Sequence, residues 1–331
     1  GALGGGGGGG DEDGGLSGCG GGGGEGGSGS AGGGLPTKVV KPGQSIKRLL
    51  PTEGGGADDA AAAAASSSST AEVAAAKPEM PSFGVGNSSD FELRTVGYKK
   101  HGVKAASAEP LYELVALDIF KTGRRVDRIH ANLDLEGLDL PDTAHPDVPA
   151  LFVMNVQFPR EEQKMFTDGD GPGASVVFYF KITAATLTEL QGPSSERSNA
   201  LKLLTEWCRV APEDPAFRGR FKAMGFIDRI QDYGLPGVAA RFNGKPILIK
   251  KTGSLFRGQV GHAGMIEMDV NVHRFAYATR SCLIAMKEKF GSMVIKVGFT
   301  IEGREDDELP EVLLGCANIN GVDLDAAIDL F

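Results

Sequence analysis

Leu151–Phe158 (LFVMNVQF) and Val176–Ile182 (VVFYFKI) flank the turn-rich stretch Asp168-Gly-Asp-Gly-Pro-Gly173. Both runs are rich in aromatic and β-branched residues, and Pro159 closes the first. Glycine, aspartate and proline between two such runs are the residues of a chain reversal. The reading is an antiparallel pair, so the sheet is laid down largely by neighbours in sequence. Upstream, Tyr112–Phe120 (YELVALDIF) is apolar on both faces, as a central strand would be. Downstream, Pro246–Lys251 (PILIKK) leads towards a strand at Leu255–Arg257. Met265–Val272 then alternates, with Ile266, Met268 and Val270 on one face and Glu267, Asp269 and Asn271 on the other. That period of two predicts a strand with one solvated face. Val294–Ile301 repeats it through Ile295, Val297, Phe299 and Ile301.

Helices interrupt the strands. A short one is expected at Leu187–Leu190. A second is expected over Asn199–Val210, where Leu203, Leu204 and Trp207 recur at helical spacing and Ser194-Ser-Glu-Arg197 supplies the capping start. The longest is expected over Phe275–Phe290, through Phe275, Thr279, Cys282, Met286 and Phe290, with Gly291 placed to cap it. The fold class expected is α+β: a curved, mostly antiparallel sheet with a long helix near the C-terminus, behind a disordered N-terminal leader. No internal repeat is evident.

The leader is set by composition. Glycine runs at 4–10 and 20–24, six alanines at 60–65 and serines at 66–69 offer almost no apolar area. Ordering a residue costs about 1–2 kcal/mol of backbone entropy, which such stretches cannot offset. Residues 1–87 are therefore expected to form the disordered leader and residues 88–331 the globular domain. Sixteen of the 17 phenylalanines (all but Phe83), all five tyrosines and Trp207 lie from Phe91 onward. One leader segment differs: residues 35–51 mix four basic residues with Val39, Val40, Ile46, Leu49 and Leu50. It reads as a docking peptide or an anionic-lipid contact, and equally as linker with incidental apolar residues.

The net charge is −9, and residues 1–87 hold nine acids against five bases. An acidic domain is a poor general nucleic-acid binder, because neutralising phosphates needs a Lys- and Arg-rich face. The four cysteines are widely spaced, which fits reduced, buried thiols better than a disulfide framework. No stretch of 18 apolar residues is present, nor a signal-peptide pattern, and the expected location is cytoplasmic or membrane-peripheral.

Catalytic signatures are missing. None of the five histidines is paired at metal-ligand spacing, no CxxC occurs, and neither a nucleophile elbow nor a phosphate-binding loop is found. Neither cofactor nor metal is expected. Glu267 and Asp269 share one strand face at a spacing suited to acid–base work, but a solvated strand face looks the same. Lys245, Lys250, Lys251 and Arg257 lie within 13 residues, with Arg241 and Lys222 nearby. They are the candidate anionic-group binding residues; the plainer reading is a charged sheet edge that resists aggregation.

Eight segments in register resemble the C-terminal domain of the plant Enhanced Disease Resistance protein family. They are residues 110–120, 149–159, 175–180, Arg220–Lys222, Phe256–Gly258, 265–270, 299–303 and 308–315, within a span from Phe91 to Ala327. Relatives of that family place this domain after a pleckstrin homology domain and a START domain, and act as peripheral-membrane, lipid-binding regulators. Residues 1–90 are expected to fold into neither of those modules. The resemblance implies a non-enzymatic, lipid-associated regulatory domain and supplies no catalytic residues. Its implied partner is an anionic lipid or membrane surface. The alternative is a protein-interaction module on a flexible tether, with a protein partner and no lipid ligand.

Overall fold

β6 (Leu151–Pro159) and β7 (Gly173–Ile182) pair antiparallel, with Phe152 opposite Phe180 and Val156 opposite Val176. The structure is a computed structural model and describes residues 40–44, 47–48, 81–161, 170–235, 237–324 and 327–330. Most of the leader, and residues 162–169, which include Asp168 and Gly169 of the turn-rich stretch, lie outside the described residues. At the end of the turn, a side chain on Gly173 would put its Cβ 2.8 Å from the Phe158 carbonyl oxygen and 2.9 Å from the His273 ring, so only glycine fits.

Two six-stranded sheets form the body. The first runs β1 (Lys47–Arg48), β2 (Ser82–Val85), β13 (Leu313–Asn320), β12 (Val294–Ile301), β8 (Phe221–Ile227) and β9 (Ile247–Leu248). The second runs β10 (Gly253–Val260), β11 (Ala263–Asn271), β6, β7, β5 (Tyr112–Thr122) and β14 (Ile328–Asp329). A two-stranded piece joins β3 (Glu92–Arg94) to β4 (Lys104–Ala106). Pairing is antiparallel except at β1/β2, β11/β6 and β14/β5. The α-helices are α1 (Tyr98–His101), α2 (Ala184–Gln191), α3 (Asn199–Val210), α4 (Pro215–Arg218), α5 (Gly237–Phe242) and α6 (Tyr277–Lys287). The class is α+β with mostly antiparallel sheets, but the strands divide between two sheets.

The inner faces of the two sheets meet in one core. Phe178 and Phe299 cross at 5.4 Å between ring centroids, Phe221 stacks with Phe299 at 6.0 Å, and Trp207 of α3 stacks on Phe221 at 5.7 Å. Gly315 permits the close approach, since a Cβ there would fall 2.5 Å from the Phe180 ring. β2 lies ahead of residue 88 yet belongs to the first sheet, and Phe83 is buried in the same core.

Two expectations are corrected. The helix near the C-terminus spans 11 residues, Tyr277–Lys287, and not the long Phe275–Phe290. Phe275 closes a 3-10 turn and the backbone stays extended through Ala276, while Phe290 opens another 3-10 turn. The apolar period continues past both ends because Phe275 and Phe290 line the same cavity from turns. For α3 the cap is Ser198, whose hydroxyl accepts from the Leu201 amide at 3.2 Å; Ser194–Glu196 forms a separate 3-10 turn.

A third correction concerns the face carrying Glu267 and Asp269. It is covered, leaving both carboxylates buried at 0% and 1% exposure. Val126, Ile129, Leu133 and Leu135 close over the outer side of the second sheet, joined by Val40, which bridges to Leu133. The strand does alternate, but both of its faces are interior.

Candidate functional site

The inner faces of four strands change character along their length. Phe152, Met154 and Val156 follow one another on β6, opposite Phe180, Phe178 and Val176 on β7. On β8 the series is Phe221, Ala223, Gly225, Ile227, facing Ile301, Phe299, Val297 and Ile295 of β12. Aromatic rungs therefore fill one end of the sandwich beneath α3. Aliphatic and small rungs leave the other end open. An apolar cavity of about 260 Å³ occupies that end, walled by both sheets and by Thr279, Cys282, Leu283 and Met286 of α6.

Among its lining residues the exposed ones are Gly225, Phe242, Lys245 and Ile247, so the cavity reaches the surface where α5 turns into β9. That turn is fixed to β8. The Asn243 side chain accepts from the Ile227 amide at 2.8 Å and donates to the Ile227 carbonyl at 3.0 Å, and the Gly244 amide bonds the Gly225 carbonyl at 2.8 Å. Gly244 takes φ +71°, the left-handed conformation glycine accepts at little cost. Burial raises the thiol pKa of Cys282, which lines the cavity as a neutral, weakly polar group.

Polar chemistry is gathered elsewhere, on the outer side of the second sheet. Glu267 accepts amide hydrogens from Ile129 (2.8 Å) and His130 (3.0 Å), and the His130 Nδ1 lies 2.5 Å from Glu267 Oε2. Asp269 accepts from the Arg128 amide at 2.9 Å and from Asn155 Nδ2 at 2.7 Å. Burial, and then the neighbouring Glu267, push the Asp269 carboxyl up to about 9; burial likewise raises Glu267. Desolvation lowers His130. This network pins the 126–130 segment to the sheet, and neither carboxylate lines the cavity.

The four sequence-predicted basic residues do not converge. Lys245 stands at the cavity mouth, and Lys250 and Lys251 are exposed in the turn between β9 and β10. Arg257 points into a different groove of about 460 Å³, where it donates to the carbonyls of Pro146 (3.1 Å) and Asp147 (2.9 Å) and pairs with the Asp147 carboxylate at 3.7 Å. Lys222 is buried against Glu311 at 2.6 Å, a structural pair in which burial lowers the lysine pKa. Sequence reasoning missed Phe242, Asn243 and Ile247, and the place of the cavity in the fold. Its signal was the shift from aromatic to small residues along several strands, visible only once their registers are known.

Among the described residues no cluster of three or more metal-binding side chains occurs, and no helix is long and apolar enough to cross a membrane. A family model described as Protein ENHANCED DISEASE RESISTANCE 2, C-terminal matches residues 85–323. No curated protein and no solved structure matches the chain.

Proposed function

The chain belongs to the family of the Enhanced Disease Resistance 2 C-terminal domain, and from that premise we propose a non-enzymatic, lipid-associated regulatory domain whose ligand is an apolar tail held between the sheets. The observation that carries this reading is the cavity. Sealed and empty, a void costs about 24 cal/mol per Å³, so 260 Å³ sets an upper bound of about 6 kcal/mol for a cavity that opens at one mouth. That is comparable with the whole net stability of a typical domain, about 5–15 kcal/mol. A void of this size is better explained as a site than as a packing fault. Apolar walls also stay dry and favour apolar guests.

The polar residues of the wall support an amphiphile over a plain hydrocarbon. Lys245 is the charged lining residue and stands at the mouth, where an anionic head group would remain in water while its tail is buried. The non-catalytic reading is supported by the separation of the two sites: Glu267 and Asp269, the carboxylates best suited to acid–base work, are engaged by the backbone of residues 128–130 away from the cavity.

Native mass spectrometry of the full chain tests the proposal. A non-covalent adduct of lipid mass is expected, recovered chemically intact. Ala223→Phe and Val297→Phe, which fill the cavity from two strands, should abolish the adduct while circular dichroism stays unchanged. A chain that carries no lipid and gains no thermal stability from added fatty acid or lysophospholipid would refute it, and would favour a protein-interaction module.

A further inference from the structure

We propose that the free edge of β10 is a dimer interface, occupied by the β10 strand of a second copy of this chain, paired antiparallel about a two-fold axis at Phe256. β10 ends the second sheet, and its eight residues run against β11 without a register shift. The other strands that end the two large sheets, β1, β9 and β14, have two residues each. The Asn271 amide bonds the Thr252 carbonyl at 2.8 Å, one step beyond the Gly253–Val270 pair. Antiparallel pairs alternate between bonded and non-bonded, so the even-numbered residues of β10 turn their backbone groups to β11. Gly253, Leu255, Arg257 and Gln259 turn theirs outward, where they have no backbone partner among the described residues. Sheet edges are ordinarily guarded by a proline, a bulge, a covering segment or a projecting charge. β10 has no proline, and its one charge, Arg257, is tied down to the Pro146 and Asp147 carbonyls.

The strand is complementary to itself. Pairing about Phe256 sets Leu255 opposite the partner's Arg257 and Gly253 opposite the partner's Gln259, so every outward residue exchanges backbone bonds with another outward residue. An axis at Arg257 would set two guanidinium groups directly opposite, an unfavourable pairing of like charges. An axis at Leu255 would leave Gln259 beyond the end of the partner's strand. Charge favours a second copy as well: the chain carries a net −9, yet residues 253–260 include no acid, so β10 brings no carboxylate to the interface. At the axis the two Phe256 side chains form a non-bonded pair, the kind in which side chains approach most closely. Ser254 then lies opposite the partner's Gly258, and these small residues clear room for the rings. Phe256 is half-buried, with the Arg128 guanidinium 4.6 Å from its ring centroid, and the second ring covers surface that remains open. No residue of β10 lines the cavity, so the pairing does not rest on the reading of the cavity as a lipid site.

Analytical ultracentrifugation of the full chain tests the pairing, and a concentration-dependent dimer is expected. Gln259→Pro removes an outward amide and no bond to β11, and should weaken the dimer by about tenfold with circular dichroism unchanged. Disulfide trapping reads the register independently of that variant. In a Cys19→Ser background the remaining cysteines are buried. Non-bonded antiparallel pairs bring their Cα atoms to about 4.5 Å, within disulfide reach. Phe256→Cys should therefore cross-link to its own copy on mild oxidation, whereas Ser254→Cys, which faces the partner's Gly258, should not. A wild type that stays monomeric at every concentration would overturn the proposal. So would a dimer that Gln259→Pro leaves at full strength, or cross-linking of Ser254→Cys in preference to Phe256→Cys. A monomer that captures an extended peptide along β10 also overturns it, since the edge then serves a different partner.

Discussion

Glu267 and Asp269 illustrate how much one buried face changes. Both are charged in an unfolded chain above pH of about 4. In the fold, burial holds Asp269 protonated up to about 9 and raises Glu267 as well. Between those values the native state keeps a proton that the unfolded state has lost. Stability therefore falls as pH rises from about 4 to about 9, by at most about 1.4 kcal/mol per pH unit for one such proton. Asp269→Asn keeps an oxygen for the Arg128 amide and removes the titration, so urea midpoints measured across this range should lose most of their slope. An unchanged slope would show that the proton resides elsewhere. Lys222 and Glu311 behave differently, since each neutralises the other at 2.6 Å in the interior. Glu311→Leu strands a buried lysine and should cost about 3–5 kcal/mol, while Lys222→Met with Glu311→Leu should recover much of that loss. A double variant no more stable to denaturant than the single one would contradict this. The sequence displayed the alternation of Glu267 and Asp269 faithfully. It could not display the cover, because Val126, Ile129, Leu133 and Leu135 lie in a stretch without strand or helix periodicity.

At the level of elements, the strands Tyr112–Phe120, Leu151–Phe158, Val176–Ile182 and Val294–Ile301 were legible because each carries its own apolar pattern. The division into two sheets was not, since pairing between distant strands leaves no local mark. The helix over Phe275–Phe290 was overread for a related reason. A three-four period reports which side chains face the interior, and turns that flank a helix extend it without being helical. What stops α6 on its N-terminal side is Ala276, whose extended backbone (φ −53°, ψ 142°) precedes the helix without a side chain to cap it. Its conformation already suits a cap. Ala276→Ser should therefore add a side-chain acceptor for the first turn and raise stability by about 1 kcal/mol, read from a denaturant midpoint. No gain, with the helix content unaltered, would mean that the first turn is already satisfied. The cavity is an element-scale feature too: Phe152 to Val156, Phe180 to Val176 and Phe221 to Gly225 taper in the same direction only because the registers align them.

Across the whole molecule, the family match begins at residue 85, but the fold does not. β2 pairs with β13 ahead of that point, and its Phe83 is 1% exposed within the main core. Val40, 2% exposed, sits over the outer face of the second sheet, where the Asp134 amide bonds its carbonyl at 2.9 Å and the Gly43 amide bonds the Asp118 carboxylate at 2.7 Å. Composition could not separate these residues from the glycine-rich stretches around them, because a single Phe or Val hardly shifts a local average. Their weight comes from where they land. Removing a buried phenylalanine costs about 3–5 kcal/mol, a large part of a net stability of about 5–15 kcal/mol. A chain beginning at residue 88 should accordingly unfold at much lower urea than one beginning at residue 37, and Phe83→Ala in the longer chain should reproduce most of the difference. Val40→Ser should add a smaller loss that is independent of it, because the two residues lie in separate cores on opposite sides of the second sheet. Equal midpoints for the two chains would mean that Val40 and Phe83 add no stability, and that the outer face closes through Val126–Leu135 alone.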